Sequence, residues 1–214
     1  MKLTGTILLA VLSLLASCVF AAADCAGGDR YEINQTFIHN FPGPGGHFVS
    51  AGTITDCRTG LVWLQDAKCL DSSNDVSPAN PYGFLSWTDA MKWAAGLQSG
   101  ICGLNDGSAA GDWRLPTKTE WMAMVEYAKY THSPSYTPKL TNGAGTAVWS
   151  QGDAFNNVVT SIYWSSTTVA SNESNAWGVH MGDGLMYSWS KSEIFNVWPV
   201  RGGQSGSFGS VTVE

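Results

Sequence analysis

Apolar residues recur at helical spacing in only two stretches of the chain. In SWTDAMKWAAGLQSG, Trp87, Ala90, Met91, Ala94 and Leu97 fall on one helix face. Ser86 can cap that helix, Asp89 three residues on nearly completes a capping box, and Gly100 is the expected stop. In AAGDWRLPTKTEWMAMVEYAKY, Thr117 and Glu120 form a capping box, Pro116 fixes the entry, and Trp121, Met124, Val125 and Ala128 make one apolar stripe. A stripe of aromatic and Met residues at this spacing reads as core, so both helices need a sheet to cover.

The rest of the pattern has period two or none. TITDCRTGLVWLQDAKC predicts two short strands around Arg58-Thr59-Gly60. IYWSSTT is a third strand, NAWGVHMGDGLMYSWS a hairpin turning at Asp183-Gly184, and NVWPVRG a strand that Pro199 confines to an edge or bulge. Residues 131–160 read as loop, residues 24–50 as an irregular N-terminal extension with a Pro/Gly turn, and residues 205–214 as a Gly/Ser-rich tail. Two early helices and several short late strands predict an α+β domain over residues 51–204, with a small, twisted, mostly antiparallel sheet and long loops.

The chain opens MKLTGTILLAVLSLLASCVFAAADC, an export signal over residues 1–23, with Ala21-Ala22-Ala23 as its cleavage site. The rival reading is a lipoprotein box ending at Cys18. Either way the protein is expected outside the cytoplasm: secreted, periplasmic or at the cell surface. Beyond the signal no run is apolar enough to span a bilayer. Net charge is -6 with no Lys/Arg cluster, which argues against nucleic acid as a partner. Outside the signal four Cys remain, an even number in an exported chain, which reads as two disulfides. Three pairings are possible; the non-crossing one joins Cys25 to Cys57 and Cys69 to Cys102.

Familiar catalytic motifs are missing: no H-E-x-x-H, G-x-S-x-G, phosphate-binding loop or dinucleotide fingerprint. Ser165 or Ser166 with His180 can be imagined as nucleophile and base, but no carboxylate is clearly placed to orient the ring. Asp112 and Arg114, two apart on a strand, share a face and read as a structural pair or as backbone anchors. Glu120 is explained as a helix cap. No cluster of carboxylates and amides suits calcium, so neither metal nor cofactor is expected.

TGLVWLQDAKC, SGICGLNDGSAAGDWRLPTKTEW, YWSSTT, AWGV, the Asp-Gly turn and VWPVRGGQ together resemble the Lcl C-terminal domain family over about residues 53–204. The resemblance implies a C-type lectin-like fold, related to that of formylglycine-generating enzymes. It also implies a binding domain, found at the end of a bacterial collagen-like adhesin, with members that attach to sulfated glycans or host surfaces. A hydrolase or modifying enzyme on the same fold is the alternative. That enzyme branch needs a late Cys, however, and the last one here is Cys102. Cys57 stands where the family usually has a polar residue, which gives Cys25 its purpose. The ending also resembles the variable proteins of diversity-generating retroelements, whose fixed scaffold carries a mutable face. In this chain the scaffold would be Trp113, Arg114, Trp164, Trp177, Val179, Lys191, Val197, Trp198 and Arg201.

Between the scaffold residues lie large apolar side chains set among Gly, Ser and Asn, where no core pattern demands them. Alternation places Trp177 and Val179 inward and Gly178 and His180 outward. The expected binding face is Asn172, Asn175, His180, Met181, Met186, Tyr187, Trp189, Ile194, Phe195 and Asn196, its ligand a cell-surface, phage or matrix protein or a glycan. Apolar Met, Ile and Phe tilt the choice toward protein.

Overall fold

The computed structural model describes residues 30–38, 47–72, 83–129 and 137–202. The expected signal over residues 1–23, Cys25 and the expected tail over residues 205–214 lie outside the described residues. Two longer helices, one single-turn helix and antiparallel sheets make an α+β domain among the described residues. The strands form three small sheets instead of the single one expected. Strands β1 (Tyr31–Ile38), β2 (His47–Asp56), β3 (Leu61–Leu64) and β9 (Val200–Gly202) form the first, in that order. Strands β5 (Ile162–Val169), β6 (Asn172–His180) and β7 (Leu185–Ser190) form the second. Strands β4 (Leu85–Ser86) and β8 (Ile194–Phe195) pair as the third. Isolated bridges Tyr163–Asn196 and Arg114–Val200 join the pieces.

The strand β1 corrects the reading of residues 24–50 as irregular. Tyr31, Ile33 and Phe37 alternate with polar residues, and β2 runs through position 50, so the expected extension supplies part of the first sheet. Arg30 is buried just before β1, and its guanidinium donates to the carbonyl of Met124 at 2.9 Å and to Thr141 Oγ1 at 3.1 Å. A charge there is tolerable only because carbonyls and the nearby Asp56 carboxylate, at 3.8 Å, receive it. As expected, β9 lies at a sheet edge, directly after Pro199.

Helix α2 (Trp87–Gly96) starts as expected, with the Ser86 hydroxyl accepting from the Asp89 N–H. It ends at Gly96, earlier than the Gly100 stop, with Leu97 as its C-cap. Helix α3 (Lys118–Lys129) opens on a reciprocal capping box. Glu120 N–H donates to Thr117 Oγ1 at 3.2 Å, and Thr117 N–H donates to the Glu120 carboxylate at 2.7 Å. Arg114 clamps the same carboxylate with two nitrogens at 2.6 and 2.7 Å. Burial pushes the Glu120 carboxyl up, but the Arg114 and Thr117 hydrogen bonds outweigh it and hold the group below its ordinary range. Asp112, the other candidate partner of Arg114, accepts from the Ala109 N–H instead.

The main core is an aromatic cluster under α3. Trp63, Trp121 and Trp198 meet at 5.0–5.8 Å between ring centroids, and Phe155 and Tyr163 close on Trp198 at 5.0 and 5.7 Å. Such edge and tilted contacts add to the burial of each ring. A second cluster lies on the other face of the second sheet, where Trp164, Ala176 and Val197 meet Ala90 and Ala94 of α2. Disulfide Cys69–Cys102 ties the one-turn helix α1 (Cys69–Ser72) to the loop after α2. Cys57 is also disulfide-bonded; its expected partner, Cys25, lies outside the described residues. Among the described residues no helix is long and apolar enough to cross a membrane.

Candidate ligand-binding face

The β6–β7 hairpin turns over residues 181–184. Asp183 N–H and Gly184 N–H both donate to the His180 carbonyl, and Gly184 takes a φ of 70°, a conformation that favours glycine. Asp183 Oδ1 accepts the Leu185 N–H at 2.8 Å and so fixes the first residue of β7. Past the turn the register pairs His180 with Leu185, Gly178 with Tyr187 and Ala176 with Trp189. Directly paired residues share a sheet face, so Leu185, Tyr187 and Trp189 stand together. Met186 and Ser188, opposite Val179 and Trp177, point to the other face.

This parity divides the expected binding residues. Tyr187 is 40% exposed, whereas Met186 packs partly buried against the main core. Leu185, 46% exposed and absent from the expected face, joins Tyr187 on it. Counting back by twos from Trp189 would have found it. Gly178 has no side chain to stand between its neighbours, so Ile162 and Trp189 close over it. A Cβ there would lie 3.0 Å from Ile162 Cγ2 and 3.5 Å from Trp189 Cδ1. Gly178 is therefore buried and not outward, although His180 beside it is half-exposed.

Strand β8 extends the strip. Phe195 sits between Trp164, at 4.8 Å, and Trp189, at 5.3 Å, and Ile194 is 53% exposed. Leu185, Tyr187 and Trp189 thus share one sheet face with Phe195, whose ring meets Trp189, in an apolar surface running from the hairpin turn to β8. Trp189 and Phe195 pack partly buried against the second cluster, and exposed Ile194 precedes Phe195 on β8. Trp189 Nε1 is buried without a hydrogen-bond partner among the described residues.

Polar groups border both ends of the strip. At the turn, Asp183 Oδ2 accepts the Tyr187 hydroxyl at 3.0 Å and lies 3.2 Å from His180 Nδ1. Slight burial raises the Asp183 carboxyl, but the bonds from Leu185, Tyr187 and His180 prevail and hold it below the ordinary range. The same carboxylate raises the Tyr187 hydroxyl. At the far end, the Ser190 and Ser192 hydroxyls share a 2.7 Å bond, and Glu193 is exposed. Lys191 turns inward there, with its ammonium 3.0 Å from Thr168 Oγ1 and 4.1 Å from the centre of the Trp87 ring.

Two expected face residues are not on the surface. Met181 is fully buried in the main core, because the turn folds it back under the sheet. Asn196 is 3% exposed, and its amide donates to the Ile162 carbonyl at 2.9 Å, where it helps bridge β8 to β5. Asn172 is exposed, and its side chain accepts the Ser174 N–H at the far end of β6. Asn175 pairs with Ser190, on the sheet face opposite the strip.

The apolar residues expected as scaffold are buried, with one exception. Trp113, Trp164 and Trp198 are buried, with their N–H groups on Ser108 Oγ, the Leu85 carbonyl and the Leu64 carbonyl. Val179 and Val197 are buried, and Arg201 lies 3.1 Å from the Asp106 carboxylate and over the Trp113 ring. The exception, Trp177, is only half-buried; its inward neighbour is the Lys118 ammonium, 3.3 Å from the ring centre. The Ser165 hydroxyl is buried and donates to the Trp177 carbonyl, and Ser166 reaches the Pro116 carbonyl. Neither bond directs its oxygen at His180, whose ring faces Asp183. No group of three or more His, Cys, Asp or Glu among the described residues is placed to hold a metal.

The sequence model of the Lcl C-terminal domain family matches residues 52–201, so the chain belongs to that family. A search of curated proteins found no match.

Proposed function

We propose that the chain is an exported, non-enzymatic binding module of C-type lectin-like fold. It recognises a protein or a glycan outside the cytoplasm through the β7–β8 face. One observation carries the reading. Of five large hydrophobic residues exposed among the described ones, Leu185 and Tyr187 share the strip face of β7 beside half-buried Trp189 and Phe195, and a third, Ile194, stands on β8. An apolar patch edged by polar residues is how recognition surfaces look. Tyr and Trp supply rigid contact area, and the surrounding Ser residues supply adaptable hydrogen bonds. Resemblance to retroelement-diversified proteins concerns the same segment, and supports a face whose residues change while the scaffold stays.

The test is a binding screen of the mature protein against immobilised glycans, sulfated polysaccharides included, and against surface and matrix proteins. It is run beside a Leu185→Ser/Ile194→Ser double variant. Loss of the captured ligand by a variant that melts like the parent supports the face. Equal binding by the variant overturns the assignment. Sequencing the gene's 3′ end in independent isolates decides diversification: clustered changes in codons of this face beside a template copy support it, and an invariant locus rejects it.

A further inference from the structure

The three-stranded sheet ends at β7, and among the described residues no strand pairs with its outer side. Which main-chain groups face outward follows from the ladder. The Lys191 N–H donates to the Ser174 carbonyl, a bond that flanks the Asn175–Ser190 pair. That pair is therefore of the non-hydrogen-bonded kind, and the kinds alternate along an antiparallel ladder. Trp189 and Tyr187 then bond to β6, while Ser188 and Met186 direct N–H and C=O away from it. Among the described residues none bonds these outward groups. Natural edges are usually blunted by a charge, a proline or a bulge. The sequence LMYSWS of β7 has no charge and no proline, and its pairing with β6 runs without a register shift.

We propose that β7 is a docking edge for an extended segment of a partner polypeptide, which adds to β5–β6–β7 as a fourth strand. The inference rests on the binding-face reading above and names its ligand class. Outward N–H and C=O groups at every second residue match another polypeptide backbone; a glycan offers no such repeat. The added strand would lie beside Leu185, Tyr187 and Trp189, so it carries apolar side chains at alternate positions facing that strip. Its flanks are basic, because carboxylates stand at both ends of β7: Asp183 at the turn, and exposed Glu173 and Glu193 at the far end. Among the described residues, the cation at that end, Lys191, is engaged with Thr168 and Trp87. A second copy fits less well. Antiparallel pairing of β7 with itself brings Asp183 of each copy toward Glu193 of the other, a like-charge contact.

The probe is a synthetic peptide of alternating Val and Thr with Lys at each end, titrated against the mature protein. Two companions carry N-methyl groups on alternate amides in the two registers, and a third has Glu in place of Lys. The expected result is binding that one N-methyl register weakens by roughly tenfold or more and the other leaves nearly intact. The Glu-ended peptide is expected to bind more weakly still. Ser188→Pro, which removes an outward N–H, should lose the peptide, while Ser188→Ala keeps it. The methylated peptides leave the protein untouched, so misfolding of the Pro variant cannot obscure the answer. Equal binding in both N-methyl registers overturns the proposal, as does preference for Glu ends, or failure of the parent peptide to bind. Dimerisation through β7, seen by sedimentation and abolished by Ser188→Pro, also overturns it, in favour of a second copy. If the peptide fails while the screen above finds a ligand sensitive to Leu185→Ser/Ile194→Ser, the edge is wrong and the face survives. If both fail, the face falls too.

Discussion

Trp198 and Trp189 each meet a phenylalanine edge-on, Trp198 with Phe155 at 5.0 Å and Trp189 with Phe195 at 5.3 Å. Their surroundings differ. Trp198 is fully buried among Trp63, Trp121 and Tyr163, and its N–H donates to the Leu64 carbonyl at 2.7 Å. Trp189 is half-buried, its N–H has no partner among the described residues, and exposed Leu185 and Tyr187 share its sheet face. One ring is enclosed and satisfied; the other stands at the margin of a surface larger than the core requires. Aromatic content alone therefore says little about role. Closure of the neighbourhood separates a ring that holds the fold from one at its margin; the polar atom does not, since fully buried Trp63 also keeps its N–H without a partner among the described residues.

Substitutions can sharpen this contrast. The largest effect is expected at Trp198→Ala, about 3–5 kcal/mol of lost stability by denaturant titration, because the cavity opens among rings that cannot collapse into it. Trp189→Ala should cost clearly less; equal costs would erase the distinction between the two regions. Gly178→Val comes next, at about 1–3 kcal/mol. Its Cβ would lie 3.0 Å from Ile162 Cγ2 and 3.1 Å from the Tyr163 carbonyl oxygen, and the added methyls would push Trp189 off the strand. Measured by the same titration, that variant should also weaken ligand capture if Trp189 belongs to the face.

Glu120→Gln tests the enclosed side by charge and is expected to cost about 1–2 kcal/mol at neutral pH. The folded state holds this carboxyl below its ordinary value of 4.5, so its contribution is complete above that pH. It is lost as pH falls through the depressed folded value. The parent should therefore lose stability on acidification in this window, and the Gln variant should show a shallower slope there in melts taken between neutral and acid pH. The smallest stability effect is expected for Leu185→Ser with Ile194→Ser, within about 0.5 kcal/mol for each exposed site. A large destabilisation there would mean that the strip is packing and not a surface.

Much of this architecture is legible in local signals. The Ser86 cap, the Thr117–Glu120 capping box, the stripe of Trp121, Met124 and Val125, and the Asp183-Gly184 turn involve residues a few positions apart, where spacing and geometry are tied. What the sequence conceals is settled by distant partners. Arg114 is closer along the chain to Asp112 than to Glu120, but the turn into α3 brings Glu120 to it. Met181 and Asn196 sit among Gly, Ser and Asn like surface residues, and only the fold of the hairpin and the bridge to β5 reveal that they are buried. Strand parity was available in the sequence and decides Leu185 against Met186. Strand β1 and the first part of β2 also escape notice, because a run rich in Pro and Gly separates them in the sequence and their polar partners are weak strand formers.

The apolar strip is confined to one short run of chain, Leu185 to Phe195, clamped by buried Met181 before it and by Asn196, Val197 and Trp198 after it. Heritable change can thus reach the whole strip through a single small piece of coding sequence, without altering any residue of the aromatic cluster. The same arrangement suits the strip to transplantation: on the proposed binding role, exchanging that run between relatives should move specificity from one to another and leave the host's melting temperature nearly where it was.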